Sequence, residues 1–265
     1  MFDRFNRHIN YLRISVTDRC NLRCTYCMPE DGIRLLNHSD ILSFEEIVEF
    51  TRIAVANGIT KVRLTGGEPL VRKDIVELVK MLAAIEGLEN LSMTSNGILL
   101  SGFAPELKKA GLTRINISLD TVNPDNYCQI TRNGDLNQVL EGIEAARKVG
   151  LEPIKVNCVL LGQPDEETEQ LRTFCEERGL KLRFIHQMNL KTGEFSTVEG
   201  GEGGNCRKCN RVRLLANGDI KPCLFRDLAF NIRKLGHQEA LNLALGNKPK
   251  SGTYNKSGEF YNIGG

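Results

Sequence analysis

The sequence predicts an α/β protein, an incomplete six-stranded parallel (β/α)6 barrel with a small C-terminal hairpin region. Three observations carry this reading. Up to about residue 187, short β-rich runs alternate with amphipathic helical stretches, the pattern of repeated βα units. Glycines stand at Gly58, Gly111, Gly150 and Gly179, where each helical stretch must end. The strand-like runs number six, two short of a closed barrel, so the sheet should curve without sealing.

In order, the first strand is expected over 11–16 (YLRISV). A helix over 43–57 opens on a capping box, Ser43 with Glu46 three residues on, and stops at Gly58. Strands over 61–65, 91–95, 114–119, 153–160 and 181–186 then alternate with helices over about 72–86, 103–110, 136–149 and 165–178. Residues 188–210 are rich in Gly, Glu and Asn and read as loop. RVRLL, Asn217-Gly218 and DIKPCLF read as a β-hairpin with a type I′ turn. Two short helices are expected near 227–235 and 237–245, before a polar tail that closes on Gly264-Gly265. The chain thus divides into a partial barrel, 1–187, and a C-terminal region, 188–265.

Along the strands one phase is apolar: Leu12, Ile14 and Val16; Val62 and Leu64; Leu91 and Met93; Ile115, Ile117 and Leu119; Ile154, Val156 and Cys158; Leu182 and Phe184. Those side chains should pack on the helices. The other phase is polar: Arg13, Ser15 and Thr17; Lys61, Arg63 and Thr65; Ser92, Thr94 and Asn96; Asn116, Ser118 and Asp120; Lys155 and Asn157; Lys181 and Arg183. Successive strand residues alternate faces, so this set should face the lumen. A sealed barrel fills its lumen with branched apolar residues. Here hydroxyls, amides and cations stand instead, and buried cations need partners, which points to a polar, anionic ligand. An open antiparallel sheet with one wet face would share the alternation, but the long helical connections argue against it.

Composition narrows the class. A net charge of +2 suggests neither a nucleic-acid nor a membrane partner. No apolar run approaches the roughly 20 residues of a membrane span, and MFDRFNRHINYLRISV lacks the apolar stretch of a signal peptide, so a cytoplasmic, reducing compartment is expected. Nine cysteines, an odd number, fit metal or redox chemistry better than disulfides. Six of them form two groups: Cys20, Cys24 and Cys27, then Cys206, Cys209 and Cys223. Cys128, Cys158 and Cys175 stand alone and read as small buried hydrophobes.

The first group follows the first strand directly, at the mouth where barrel active sites lie. Three thiolates within eight residues can wrap one face of a cubane iron–sulfur cluster and leave one iron open. Structural zinc prefers a closed four-ligand site, and the nearest histidines, His8 and His38, are not close. Gly66-Gly67-Glu68-Pro69 follows the second strand, where glycines admit a close ligand and the Glu can accept from an ammonium group. The second group spans the hairpin; a zinc ribbon with His237 as fourth ligand is one reading, a second cluster the other.

C-x3-C-x2-C after the first strand with GGEP after the second resembles the radical S-adenosylmethionine (SAM) superfamily. That resemblance implies that the open iron chelates SAM and that one electron cleaves it to methionine and a 5′-deoxyadenosyl radical. LRISVTDRCNLRCTYCMP, KVRLTGGEPLVRKDI, MTSNG, RINISLD, KVNCVL, RFIHQM, CRKCNRVRLLANGDIKPCLF and the terminal GG further resemble, in the same order, the GTP 3′,8-cyclases, which perform the first step of molybdenum cofactor biosynthesis. Carried over by position, Cys20, Cys24 and Cys27 imply the ligands of a SAM-binding [4Fe–4S] cluster, and Cys206, Cys209 and Cys223 those of a second [4Fe–4S] cluster contacting guanine. Tyr26, Gly67, Ser118 and Met188 resemble SAM contacts; Arg13, Arg63, Thr94 and Lys155 resemble GTP contacts, with Lys61 and Arg183 adding phosphate binding. Arg211, Arg213 and the tail Gly264-Gly265 resemble catalytic residues at the GTP site, the tail anchored by Phe260, Tyr261 and Ile263.

The resemblance implies a lyase with GTP as small-molecule substrate, a reducing electron donor and, as a permitted assembly, a homodimer. Two departures stand out: seventeen residues separate Met188 from Cys206, several tens fewer than the family usually carries as a cavity wall, and His186 stands where an acidic residue is common. The alternatives are a radical SAM maturase acting on a peptide or another nucleotide, and a zinc-stabilised binding module. No leader-peptide-binding segment is visible at the N-terminus, which counts against the peptide version, and the polar strand phase counts against the module.

Overall fold

The computed structural model describes residues 1–256; Gly264 and Gly265, with Phe260, Tyr261 and Ile263, lie outside the described residues. Six strands and their helices alternate first: β1 (Tyr11–Ser15), α1 (Phe44–Ala56), β2 (Lys61–Thr65), α2 (Ile75–Ala83), β3 (Asn90–Ser95), α3 (Leu100–Lys109), β4 (Arg114–Ser118), α4 (Pro124–Thr131), α5 (Leu136–Lys148), β5 (Lys155–Leu160), α6 (Asp165–Glu177) and β6 (Lys181–His186). Then come β7 (Arg211–Leu214), β8 (Asp219–Lys221), β9 (Phe230–Asn231), α7 (Ile232–Leu235) and α8 (His237–Gly246). The sheet order is β6-β5-β4-β3-β2-β1-β7-β8-β9, parallel from β6 through β7 and antiparallel from β7 to β9. The expected α/β partial barrel and its C-terminal hairpin are both present.

Local chemistry explains the element ends. The Ser43–Glu46 capping box forms, with Glu46 N donating to Ser43 Oγ (3.2 Å) and Ser43 N to Glu46 Oε2 (2.7 Å). Three helix starts differ from expectation; one is α7, expected near 227 but starting at Ile232 because Phe230 and Asn231 pair with β8 instead. α2 begins late because a 3-10 turn at Pro69–Val71 and Asp74, at φ 58°, interrupt the approach. α3 begins early, at Leu100, although Gly102 sits in its first turn. α4 is an element the sequence reading lacked; Asn123 caps it by accepting from Asp125 N and Asn126 N, and Pro124 opens it.

The apolar phase forms the core. Leu12, Ile14, Val62, Leu64, Ile115, Ile117 and Val156 are buried with Ile47, Phe50, Leu78, Leu107, Val139 and Ile143 of the helices. Each such side chain contributes roughly 1.5–3 kcal/mol by leaving water, which holds the sheet's outer face on its helices. Of the lone cysteines, Cys158 and Cys175 are buried as expected; Cys128 is instead exposed on α4.

β7 pairs in parallel with β1, so the segment after residue 187 shares the barrel's sheet, and Val212, Leu214 and Ile220 join its core. The hairpin turn is not type I′. That turn needs positive φ at both central residues, but only Gly218 has it (87°), and Leu215 N bonds to Asp219 O (2.8 Å). Ala216-Asn217-Gly218 form a three-residue loop, fixed by Asp219 N donating to Asn217 Oδ1. The short 189–205 segment folds back on β6: Glu199 exchanges backbone hydrogen bonds with Phe184 and covers an otherwise open edge. Among the described residues no helix is long and apolar enough to cross a membrane.

Candidate active site

The loop after β1 carries Cys20, Cys24 and Cys27, and the β2 loop is fastened to it. Gly67 N donates to Thr17 O and Glu68 N to Arg19 O, both at 2.8 Å. A Cβ on Gly67 would lie 2.2 Å from Arg19 O, and one on Gly66 2.7 Å from Thr17 O. Loop-on-loop packing therefore demands these glycines, in addition to any ligand.

Glu68 already has donors within the protein. It is buried and accepts from Leu70 N (3.0 Å), Ser95 Oγ (2.9 Å) and Asn96 N (2.7 Å), tying the β2 and β3 ends together. Burial pushes its pKa up to about 7 against the pull of those donors. Glu68→Ala would leave three donors without an acceptor and should cost about 2–4 kcal/mol of stability. Urea denaturation checks this; an unchanged midpoint would contradict it.

Further contacts shape the cysteine loop. Cys27 N and Met28 N both donate to Cys24 O, a tight turn that draws Cys24 and Cys27 together. Tyr26 Oη donates to Asp120 Oδ2 (2.9 Å), and Val159 N donates to Asp120 Oδ1 (2.7 Å), so the loop is anchored to the ends of β4 and β5. Arg132, just past α4, donates to the carbonyls of Arg23 and Met28. Cys20 Sγ accepts from Leu22 N (3.4 Å), with Asn96 Nδ2 at 3.9 Å. All three thiols are free.

Burial pushes Cys24 up to about 12, with Asp120 and the neighbouring thiols adding to it, and Cys27 up to about 11. Three soft donors crowded where a thiolate is disfavoured suit a cationic iron–sulfur cluster. Among the described residues no three His, Cys, Asp or Glu side chains converge on the position of a single metal ion.

The second cysteine group lies at the opposite end of the strands. Cys206 and Cys209 precede β7, which runs parallel to β1, and Cys223 follows β8, which runs back antiparallel. Strands of four or five residues separate the two ends by roughly 15 Å at ~3.3 Å per residue. Asn205 caps the Cys206–Lys208 turn through Arg207 N and Lys208 N. Burial raises the Cys209 thiol, but Lys248, Arg211 and Arg213 outweigh it and hold it down at about 7. Burial raises Cys223.

Between the two groups lies a row of cations. In register, Arg13 stands beside Arg63 and Arg213, and Ser92 stands beside both Arg63 and Arg114. The next row holds Thr94, Asn116, Lys155 and Lys181, and Arg183 lies beside Asn157 above it. Tyr11, beside Lys61 and Arg211, has its ring 5.7 Å from the Arg13 guanidinium and 5.5 Å from that of Arg63. Arg63 is buried, and burial depresses its pKa, as do Arg13, Arg114 and Arg183. Burial and then Arg183, Arg114, Arg63 and Lys181 push Lys155 down to about 8.

Among the described residues none of Lys61, Arg63, Arg114, Lys155 and Arg183 forms a salt bridge. Thr94 Oγ1, Arg114 Nε and both side-chain polar atoms of Asn116 are buried with no hydrogen-bond partner among the described residues. Such a set fits a polyanion that also accepts and donates hydrogen bonds.

The remaining wall is short. Arg183 Nε donates to Gly200 O (3.3 Å) and Arg211 Nη2 to Glu202 O (3.3 Å), so residues 200–202 span from β6 to β7. His186 is exposed and pairs with Glu199 (3.0 Å). Ser118 is half-buried beside Asn157, and Met188 packs on Leu190, Leu215 and Phe225. Arg114, Asn116 and Tyr11 were not singled out from the sequence as site residues. Arg114 shares the parity of Asn116, which is the signal that marks it.

The radical SAM superfamily model matches residues 14–175. The chain is 40% identical to the GTP 3′,8-cyclase of Petrotoga mobilis, over 98% of this chain and 97% of that one. It is 43% identical to the GTP 3′,8-cyclase of Moorella thermoacetica, over 88% and 86%. The Petrotoga alignment runs to 315 positions, more than the 265 residues of the chain, so the relative carries residues this chain lacks. Among solved structures, Streptococcus suis SuiB bound to S-adenosylmethionine superposes with a TM-score of 0.68 at 17% identity, over 92% of this chain and 65% of that one. Fold, cysteine loop and sequence similarity agree: the chain belongs to the radical SAM superfamily and, within it, to the GTP 3′,8-cyclase family.

Proposed function

We propose that the protein is a radical SAM lyase that converts GTP to 3′,8-cyclo-7,8-dihydro-GTP, the first step of molybdenum cofactor biosynthesis. The observation that carries this reading is that Lys61, Arg63, Arg114, Lys155 and Arg183 crowd one lumen with no carboxylate paired to them among the described residues, between two opposite groups of three cysteines. Membership of the superfamily implies a [4Fe–4S] cluster and SAM; Cys20, Cys24 and Cys27 would hold that cluster. When bound, the cluster and SAM would supply the one-electron chemistry that removes hydrogen from C3′ of GTP. Cys206, Cys209 and Cys223 would hold a second cluster at the far end of the lumen, the guanine end.

The chain's own groups bind and orient. Lys61, Arg63, Arg114, Lys155 and Arg183 neutralise the triphosphate, and Thr94 and Asn116 complete its hydrogen bonds. Arg211 and Arg213, on the strand that follows Cys206 and Cys209, and Arg13 beside Arg213 would orient the ribosyl-guanine portion. Tyr26, Gly67, Ser118 and Met188 line the SAM side. Residues 200–202 keep water from the open side of the barrel. Anaerobic incubation with SAM, reductant and GTP, followed by product mass spectrometry, tests the reading; no cyclised product from a protein that cleaves SAM would refute it.

Arg63→Ala, Lys155→Ala and Arg114→Ala should each weaken GTP binding by about 1–3 kcal/mol, with SAM affinity unchanged. Calorimetry checks this, and unaltered GTP affinity in all three would contradict it. A pH dependence follows. Burial and the neighbouring cations lower Lys155 to about 8, so the free protein loses this charge as pH rises through about 8. GTP favours the charged form, so binding takes up a proton there, and affinity should fall as pH rises through about 8.

A further inference from the structure

We propose that Lys248 is the positioning residue of the second cysteine group: its ammonium joins the backbone segments that carry Cys209 and Cys223, faces the Cys209 sulfur, and sets the charge environment of the cluster held there. The inference rests on the reading of Cys206, Cys209 and Cys223 as cluster ligands.

Lys248 follows α8 and is among the largest fully buried side chains, with 2% of its surface exposed. A lysine is almost never buried to this degree unless paired. Its hydrogen-bond partners are Arg211 O (2.6 Å) and Pro222 O (2.8 Å), and the nearby Cys209 sulfur favours its charged form. Arg211 lies two residues beyond Cys209, and Pro222 immediately precedes Cys223. Two neutral carbonyls compensate a buried ammonium poorly. Three thiolates around an iron–sulfur cluster supply the missing negative charge.

The backbone around Lys248 is tied on both sides. Arg226 Nη1 donates to Asn247 O (3.2 Å). Arg7, held by Asp3 at 2.6 Å, donates to Pro249 O (2.6 Å), Lys250 O (3.1 Å) and Cys206 O (2.8 Å). Each of the three cysteines is therefore linked to this one segment: Cys206 through Arg7, Cys209 and Cys223 through Lys248. A ligand set split between the two arms of a hairpin needs such a tie, since groups outside the ligands orient them. Hydrogen bonds to ligating sulfurs and nearby charge also set a cluster's potential. One-electron reduction adds negative charge to the cluster, and the ammonium favours it.

The test uses the full chain, reconstituted anaerobically as wild type, Lys248→Met and Lys248→Arg. Iron and sulfide are counted per chain, and each cluster is followed by EPR during a redox titration. Added SAM perturbs the signal of the first cluster and so tells the two apart. Lys248→Met is expected to lose the second cluster's share of iron and sulfide, or to keep it at a more negative midpoint. Lys248→Arg is expected to retain it close to the wild-type midpoint, and the SAM-dependent signal should persist in both. A Lys248→Met protein with two clusters at the wild-type midpoint and line shape would overturn the proposal. So would loss of both clusters in both variants, which would make Lys248 a general folding residue. A wild type that binds one cluster only would instead overturn the reading of Cys206, Cys209 and Cys223 as ligands.

Discussion

Cys24→Ala is expected to abolish reductive cleavage of SAM, whereas Cys209→Ala should keep uncoupled cleavage and lose the cyclised product. The two cysteine groups sit at opposite ends of the strands and have separate supports. Cys24 lies on a loop pinned by the β2 loop, by Asp120 and by Arg132. Cys209 lies beside Lys248 and Arg211. Removing a thiol at one end therefore leaves the scaffold of the other intact. On the proposed assignment, loss of one of three ligands would strip the radical-generating site in the first variant and the substrate-holding site in the second. Quantifying 5′-deoxyadenosine beside the nucleotide product separates them; equal and complete loss of 5′-deoxyadenosine in both would contradict this division.

Gly67→Ala should be nearly as damaging, through geometry alone. The new methyl group would stand 2.2 Å from Arg19 O and 2.5 Å from Arg19 C, both backbone atoms that cannot rotate aside. The β2 loop must separate from the cysteine loop, breaking the hydrogen bonds to Thr17 O and Arg19 O. Overpacking of this kind costs about 1–3 kcal/mol or more, and the displaced loop should lose the first cluster while the second stays. Gly102 in α3 is the control: nothing lies within 4 Å of its missing Cβ, so Gly102→Ala should stabilise the helix by about 0.5–1 kcal/mol. Iron analysis with urea denaturation reads both. Full iron content and wild-type SAM cleavage in Gly67→Ala would contradict the loop-packing argument.

Particular residues show what was legible in the sequence. The parity of Arg13, Arg63 and Lys155 against Leu12, Leu64 and Val156 was visible because a strand alternates faces at every residue. The cysteine groups were visible because their spacing is local. The pairing of β7 with β1 joins residues some 200 positions apart, and no local pattern encodes it. The same holds for Arg7 reaching Cys206 and Lys248 reaching Pro222, in stretches that read only as polar ends. α4 did carry a signal, Asn123 before Pro124, but at Pro124–Thr131 it is too short to declare itself by periodicity. Arg114 stood in the lumenal phase from the start, at the first residue of its strand, where alternation has only begun. Glu68 shows a different limit. Its motif placed it correctly in the chain, while its three donors come from its own turn and from β3.

On the proposed function GTP lies within reach of the radical source while the lumenal cations hold its phosphates. The most direct measurement supplies GTP carrying deuterium at C3′, with SAM and reductant, under anaerobic conditions. The account predicts deuterium in the 5′-deoxyadenosine together with a cyclised product, both lost in a variant lacking Arg63 and Lys155. Deuterium-free 5′-deoxyadenosine formed at the same rate with and without GTP would contradict it.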